Sequence, residues 1–332
     1  MKKIAINGLG RIGRLILRRY LDGGYHKFVP VAINDPMPLE NLIYLLKYDS
    51  VYGRLPCEIS AEDDRLHLGD LSLAIYAEED PAKLPWNSES VDAVLECSGR
   101  FTRRADAARH LEAGAGRVLI SAPCADADIT VVMGVNHTDF DRDRHFVISN
   151  ASCTTNSLAP PLLVLDESFG IEQALVTTIH AYTGSQATVD SARRKKIQGR
   201  AAAVNIIPTS TGADAATVAV LPQMEGRLSA LAVRVPVVNG SLTDISVQLR
   251  SPADRAAVNG ALRSAAGGNL HNILGYTDDD LVSTDIIGDP HSSLIHGAST
   301  RVQGHLAKVQ AWYDNEYGYV CRCLDLLEQV LL

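Results

Sequence analysis

The chain has 332 residues, 46% of them apolar and 21% charged, and its 31 Lys and Arg against 39 Asp and Glu leave a net charge of −8. That length predicts two domains, each able to bury a core without disulfide or metal staples. The acidic balance argues against a dedicated nucleic-acid binder, which carries a strongly basic domain; it leaves small anionic ligands open, because they need only local positive charge.

The first apolar run, residues 3–7, stops at Asn7 and passes into Gly8-Leu9-Gly10-Arg11-Ile12-Gly13. It is too short for a secretory signal, and no apolar stretch reaches the ~20 residues of a membrane span. A cytoplasmic protein without membrane contact is expected. After the glycines, Ile12, Leu15, Ile16 and Tyr20 recur at helical spacing, which predicts strand, turn and helix in succession. A second strand, 28–34, runs into Asp35. Residues 66–77, broken at Gly69-Asp70, predict a hairpin. Strands follow at 93–97, 118–120 and 129–133, with a helix at 105–113. Strands alternating with helices predict a Rossmann-type, mostly parallel sheet covered on both faces.

The pattern changes near residue 150. A run of hydroxyl and amide residues, Ser149 to Asn156, leads into a long apolar helix interrupted early by Pro160-Pro161. Strands at 174–181, 228–235, 243–249 and 307–313 then alternate with period two, which suits a mainly antiparallel sheet with one face on helices or a partner. Residues 183–207 are polar, basic and aperiodic, and a segment that long inside a compact domain is usually functional or interfacial. Residues 319–332 predict a last amphipathic helix. The fold class is therefore α/β: a mostly parallel domain followed by an α+β domain.

Two features carry chemistry. Gly8, Gly10 and Gly13 permit a tight turn, close approach of a pyrophosphate and helix–strand packing, and the helix N-terminus favours the anion. Asp35 lies 22 residues beyond Gly13, where a dinucleotide fold places its ribose-binding acid; a carboxylate there repels a 2′-phosphate and favours NAD over NADP. The second feature is Cys153, just ahead of the apolar helix, where a helix N-terminus lowers a thiol's pKa. His180 follows 27 residues later at the end of a strand, placed to act as base to the thiol and acid to an oxyanion. The other cysteines, Cys57, Cys97, Cys124, Cys321 and Cys323, form no Cys-x-x-Cys pair and no zinc spacing. Cys321 and Cys323 are too close for an ordinary disulfide. Reduced thiols and no metal site are expected.

In order along the chain stand GLGRIGR, AIND, YDSVYGR, SNASCTTN, His180, NIIPTSTGA, AVRVP and AWYDNEYGY. With these the sequence resembles the phosphorylating glyceraldehyde-3-phosphate dehydrogenases from end to end. The resemblance implies oxidation of D-glyceraldehyde 3-phosphate with inorganic phosphate to 1,3-bisphosphoglycerate, through a hemithioacetal and a thioester on Cys153, with His180 as base and acid. It implies NAD as cofactor, NADP being possible. Gly8, Gly10, Arg11, Ile12 and Gly13 match the pyrophosphate turn, Asp35 the ribose contact and Glu79 a loop contact near the adenine. Ser98 and Ser121 match cleft positions, and Asn315 the amide that orients the nicotinamide carboxamide. Phe101, Tyr317 and Tyr319 are expected around the cleft. Thr183 and Arg234 match the residues that hold the substrate phosphate. Ser152, Thr154, Thr211 and Gly212 match those at the inorganic phosphate, with Arg234 between the two. The implied domains are an NAD-binding domain, 1–151, a catalytic domain, 152–317, and a C-terminal helix, 318–332, returning to the first. A homotetramer is implied, with no nucleic-acid partner.

Three positions depart from the family pattern. Ser157 stands where many members carry a second cysteine, which removes one oxidation route for Cys153. Gln198 stands where an arginine often lies near the inorganic phosphate; Arg193, Arg194, Lys195, Lys196 and Arg200 are candidates to replace its charge. Ser191-Ala192 is smaller than the pair strictly NAD-using members carry, which leaves some NADP use open. Two alternatives accompany the main reading. One is erythrose-4-phosphate dehydrogenase, disfavoured by Trp312-Tyr313-Asp314-Asn315-Glu316 and by His180-Ala181-Tyr182-Thr183. The other is a non-catalytic binding relative, disfavoured by intact Cys153, His180, Arg234 and Asn315.

Overall fold

The computed structural model describes residues 1–193 and 195–331. They form two units, one of Met1–Ser152 with Val320–Leu332 and one of Cys153–Tyr319. Among the described residues of the first unit, nine strands make one sheet. Its order is Ile129–Thr130, Val147–Ser149, Arg117–Ile120, Ala93–Glu96, Lys2–Asn7, Phe28–Asn34, Leu71–Tyr76, Arg65–Leu68, Ile59–Glu62. The strands from Ile129–Thr130 through Leu71–Tyr76 run parallel. The last two add antiparallel, the Leu68–Leu71 pair closing a hairpin over Gly69-Asp70. Ile4, Ala5, Ile6, Ala93, Val94 and Leu95 are fully buried, as central parallel strands require when both faces are covered. Strand order reverses between Lys2–Asn7 and Ala93–Glu96, and the crevice beyond the carboxyl ends of such a pair is where open α/β sheets bind ligands.

Three local expectations change. The helix expected at 105–113 is two short turns, Arg104–Ala107 and Arg109–Glu112, because the chain tightens at Ala108, whose carbonyl accepts from Leu111 N–H three residues on. Only Ile129–Thr130 of the expected strand 129–133 stays on the ladder, while Val147–Ser149 adds a short strand that the sequence pattern does not announce. The last helix starts earlier, at Tyr317, and widens into a π-turn over Leu327–Leu331. Glu328 there accepts the N–H groups of His26 and Lys27.

The second unit is built on a sheet ordered Ile207–Ser210, Leu228–Val235, Ile171–Ala181, Ser241–Leu249, Leu306–Tyr313, Ser293–His296, Leu274–Thr277, with Arg301–Gln303 beside Leu306–Tyr313. It is mixed. Most pairs are antiparallel, but Ile171–Ala181 runs parallel to Leu228–Val235, and Leu274–Thr277 to Ser293–His296. Parallel neighbours need a long crossover, and residues 182–227 supply the first. The helix Cys153–Phe169 packs on one face, over the alternating buried positions Ile245, Val247 and Leu249. Pro160 and Pro161 do not interrupt it. Each removes one backbone donor, but both sit in the buried middle of the helix, where packing holds the shape.

Candidate active site

In the first unit the glycine turn and the end of the Ala93–Glu96 strand meet at the crevice. Gly8 has φ +93, and a Cβ on it would lie 2.4 Å from the Ser98 backbone; no other residue fits. A Cβ on Gly13 would lie 2.0 Å from Gly8 O, whereas Gly10 faces open space. Gly10 is the N-cap of the helix Arg11–Leu21 and has no side chain to cap it, so the first-turn N–H groups of Arg11 and Ile12 mark an anion end. The Asp35 carboxylate accepts from Leu9 N–H at 2.5 Å and Met37 N–H at 2.8 Å, which fixes it at the mouth. Gly8, Gly10, Asp35, Glu79, Ser98 and Phe101 line one cleft. A glycine floor, an uncapped helix end and a fixed carboxylate fit a dinucleotide.

Not every expected contact faces that cleft. The Arg11 guanidinium turns to Asp49 at 2.5 Å and lies over the Tyr52 ring, so the side chain anchors the YDSVYGR loop. Ser121 gives both its N–H and its hydroxyl to Glu96 O. Glu79 is 72% exposed, with Arg100 3.7 Å away. Behind the cleft runs a buried network that the motifs do not signal. Trp86 Nε1–H donates to His110 Nδ1 at 2.9 Å, which leaves the ring hydrogen on Nε2, 3.1 Å from Glu96 Oε2. Glu96 also accepts from Asn7 Nδ2, from Ser98 N–H and from the Ser98 hydroxyl, and Asn34 Nδ2 donates to Asn7 Oδ1. The available signal was Glu96 itself, an acid ending the apolar strand Ala93–Glu96.

In the second unit Cys153 opens its helix, partly exposed, with Sγ 3.5 Å from His180 Nε2. His180 and Arg234 are paired residues of adjacent parallel strands, so their side chains share a face. Arg234 Nη1 lies 2.6 Å from His180 Nδ1 and donates to Ala181 O at 2.9 Å. Tyr313 stands edge-on to the imidazole, its hydroxyl 2.8 Å from Thr178 Oγ1 and 3.1 Å from Thr154 Oγ1. Burial, followed by the Arg234 charge, pushes the His180 pKa down to about 3. Burial pushes the Cys153 thiol up, while the Arg234 charge and hydrogen bonds from Thr154 pull the other way. Burial thus acts on the thiol in the direction opposite to the lowering expected from a helix N-terminus. Burial also raises Cys57, Cys97, Cys124 and Cys321; none of the six cysteines is in a disulfide.

The anion-site candidates gather unevenly. Thr154 lies beside Cys153 and Ser152 directly before it. Thr211 Oγ1 accepts from Ala213 N–H, and Gly212 is the N-cap of the helix Ala213–Val220. Thr183 bonds Ser185 and Gln186 within its own turn. Of the basic residues considered for the charge missing at Gln198, Lys195 donates to Ser210 Oγ and Arg200 pairs with Asp190. Ser210 opposes Leu231, not Ala232, so it leaves the sheet on the face opposite Arg234. Arg193 and Lys196 are exposed, and Arg194 lies outside the described residues. Asn315 Oδ1 accepts from the Ser241 hydroxyl at 2.7 Å, and Ser241 Oγ accepts from Ala181 N–H. Ser241 thus orients the amide. Of the expected cleft aromatics, Phe101 is in the cleft lining, while Tyr317 and Tyr319 belong to the last helix. Among the described residues no cluster of three His, Cys, Asp or Glu could hold a metal, and no helix is long and apolar enough to cross a membrane.

Comparison with known proteins gives the family. Residues 2–104 match the profile of the glyceraldehyde 3-phosphate dehydrogenase NAD binding domain, and residues 152–315 that of the C-terminal domain. The chain is 48% identical over 325 residues to glyceraldehyde-3-phosphate dehydrogenase 1 of Bacillus subtilis (strain 168), covering 98% of this chain and 96% of the relative. It is 47% identical over 333 residues to the Mycobacterium avium enzyme (99% and 98%), and 47% over 325 residues to that of Geobacillus stearothermophilus (98% and 96%). The chain belongs to the glyceraldehyde-3-phosphate dehydrogenase family.

Proposed function

We propose that the chain oxidises D-glyceraldehyde 3-phosphate and couples the oxidation to inorganic phosphate, giving 1,3-bisphosphoglycerate. The observation that carries this reading is Cys153 Sγ within 3.5 Å of His180 Nε2, with Arg234 on the adjacent strand. His180 takes the thiol proton, the sulfur adds to the aldehyde carbon, and the carbonyl electron pair moves to oxygen, which receives that proton from His180; this gives a hemithioacetal. His180 then holds the proton of that hydroxyl as the carbon is oxidised to the thioester. NAD, when bound, accepts the hydride from that carbon. A phosphate oxygen next attacks the thioester carbonyl, the C–S bond breaks, and the thiolate leaves. The thioester keeps the oxidation energy that hydrolysis would dissipate.

Arg234, Thr183, Ser152, Thr154, Thr211 and Gly212 are the proposed phosphate contacts, since charge-assisted bonds to phosphate oxygens are the strong ones. Gly8, Gly10, Arg11, Ile12, Gly13, Asp35, Glu79, Ser98 and Ser121 serve NAD in the N-terminal domain. Asn315 orients the carboxamide. Arg11 and Ile12 act there through backbone N–H groups. NAD is preferred, with weaker use of NADP. The working assembly is a cytoplasmic homotetramer. Leu175 and Leu231 support it, being 68% and 48% exposed on one open sheet face.

Steady-state assays with triose and erythrose phosphates, with and without inorganic phosphate, test the reading. NADH formation that needs both the triose and phosphate is expected. A preference for erythrose 4-phosphate, or phosphate-independent turnover, overturns it.

A further inference from the structure

Four segments leave the first sheet at the crevice, and one chain of hydrogen bonds joins them. The Asn34 amide meets both polar groups of the Glu78 backbone: Oδ1 accepts from Glu78 N–H at 2.8 Å and Nδ2 donates to Glu78 O at 2.9 Å. Nδ2 also donates to Asn7 Oδ1 at 2.6 Å, and Asn7 Nδ2 donates to Glu96 Oε2. Glu96 in turn accepts the Ser98 N–H. Just beyond Glu78, Asn34, Asn7 and Glu96 stand Glu79, Asp35, Gly8 and Ser98, and all four line the cleft.

Groups with a single role fix the direction of this chain. A backbone N–H only donates and a carbonyl only accepts, so Glu78 settles which end of the Asn34 amide is oxygen and which is nitrogen. Both hydrogens of that amide are then committed inside the protein. Asn34 is 4% exposed, so it acts on a ligand through what it holds. What it holds is a segment that the sheet has released. The ladder between Phe28–Asn34 and Leu71–Tyr76 closes where Asp35 N–H donates to Tyr76 O at 3.0 Å, and Ala77 and Glu79 are exposed. The Asn34 side chain carries the pairing two residues further, as a continued strand would. Without that amide, the Glu78 backbone would turn to water and the segment would be free to move.

We propose that Asn34 is a positioning residue for the cofactor: its amide holds the Glu78–Glu79 segment beside Asp35, so that the cleft has its binding width before a ligand arrives. Ordering a loop on binding lowers affinity, and a segment already held in place avoids that loss. Every link of the clamp lies in the first unit, so it governs cofactor binding and leaves the chemistry at Cys153 alone. This rests on the reading of the cleft as an NAD site.

ADP-ribose is the probe, since it carries the adenosine and the pyrophosphate but no nicotinamide. Calorimetry on the full-length protein should show Asn34→Ala weakening ADP-ribose binding by about tenfold. The NAD KM should rise by the same factor, while kcat at saturating NAD and the KM for the triose stay within twofold. A urea midpoint that falls while both cofactor constants hold marks a merely structural residue and overturns the proposal. Amide exchange in the wild type needs no variant to fold. The Glu78 N–H should exchange slowly in the cofactor-free protein and change by less than about threefold at saturating ADP-ribose. Exchange at the free-chain rate until ADP-ribose binds overturns the clamp. A wild type that binds neither ADP-ribose nor NAD removes the reading of the cleft. One that binds both, with unchanged constants in Asn34→Ala, removes the clamp alone.

Discussion

His180 makes the stability of the catalytic unit depend on pH. Folded, its pKa is about 3, chiefly through burial and then through Arg234; unfolded, it returns to roughly 6.5. Between those values the unfolded chain binds a proton that the folded chain does not, so stability is full above the upper value and is lost as pH falls through the window. The urea midpoint should drop from pH 7 to pH 4, and drop less in His180→Gln. Equal slopes in the two proteins would refute the assignment. Asp35 acts at the same scale but on selectivity. Its carboxylate is pinned by two backbone N–H groups, so it cannot swing away from a 2′-phosphate. Asp35→Asn should raise the NADP-to-NAD ratio of kcat/KM by about tenfold or more, since like-charge juxtaposition is costly. A ratio left within twofold would show that discrimination lies elsewhere.

Between elements, Glu96 ties strand ends together. It accepts from Asn7, Ser98 and His110, while Trp86 fixes the His110 tautomer. Glu96→Gln turns an amide NH2 toward Asn7 Nδ2 and His110 Nε2–H, or toward Ser98 N–H, all of which only donate, and leaving such a buried donor unsatisfied costs about 1–3 kcal/mol. Urea unfolding should show a loss of that size; a loss under half the lower figure would mean that the network rearranges freely. This network also marks what the sequence could disclose. Gly8, Gly10, Gly13 and Asp35 were legible because a turn and the strand after it impose short, local spacings. Trp86, His110 and Glu96 were not, because their meeting depends on how two short helical turns and a strand, 10 to 24 residues apart, pack. Arg234 and His180, 54 residues apart, meet only because a crossover makes their strands parallel neighbours, which period-two alternation cannot reveal. The surroundings of the Cys153 thiol were illegible for a related reason: the helix end is local and visible, whereas the burial that pushes the thiol up comes from the rest of the fold.

For the whole molecule, a net charge of −8 and anionic ligands coexist because positive charge is local, at Arg234 and at helix starts. The open face of the second sheet raises a different question. Leu175 and Leu231 sit on neighbouring parallel strands, Leu231 opposite Thr177 and so two positions along from Leu175, and both are largely exposed. The segment Ala202–Val204 packs beside the same strand, with Val204 and Ile206 exposed as well. Contiguous apolar surface of this kind marks an interaction site, and burying a Leu side chain stabilises by about 1.5–3 kcal/mol. In the homotetramer proposed above, a second copy of the chain would supply the same surface in return, as closed symmetric oligomers require. The double variant Leu175→Asp/Leu231→Asp places two like charges on that face in every subunit and touches neither Cys153 nor the glycine turn. Light scattering after gel filtration should give four chains per particle for the wild type and fewer for the variant, with unchanged far-UV circular dichroism. A wild type that runs as a single chain, or a variant that keeps four, would show that this face does not hold the assembly together.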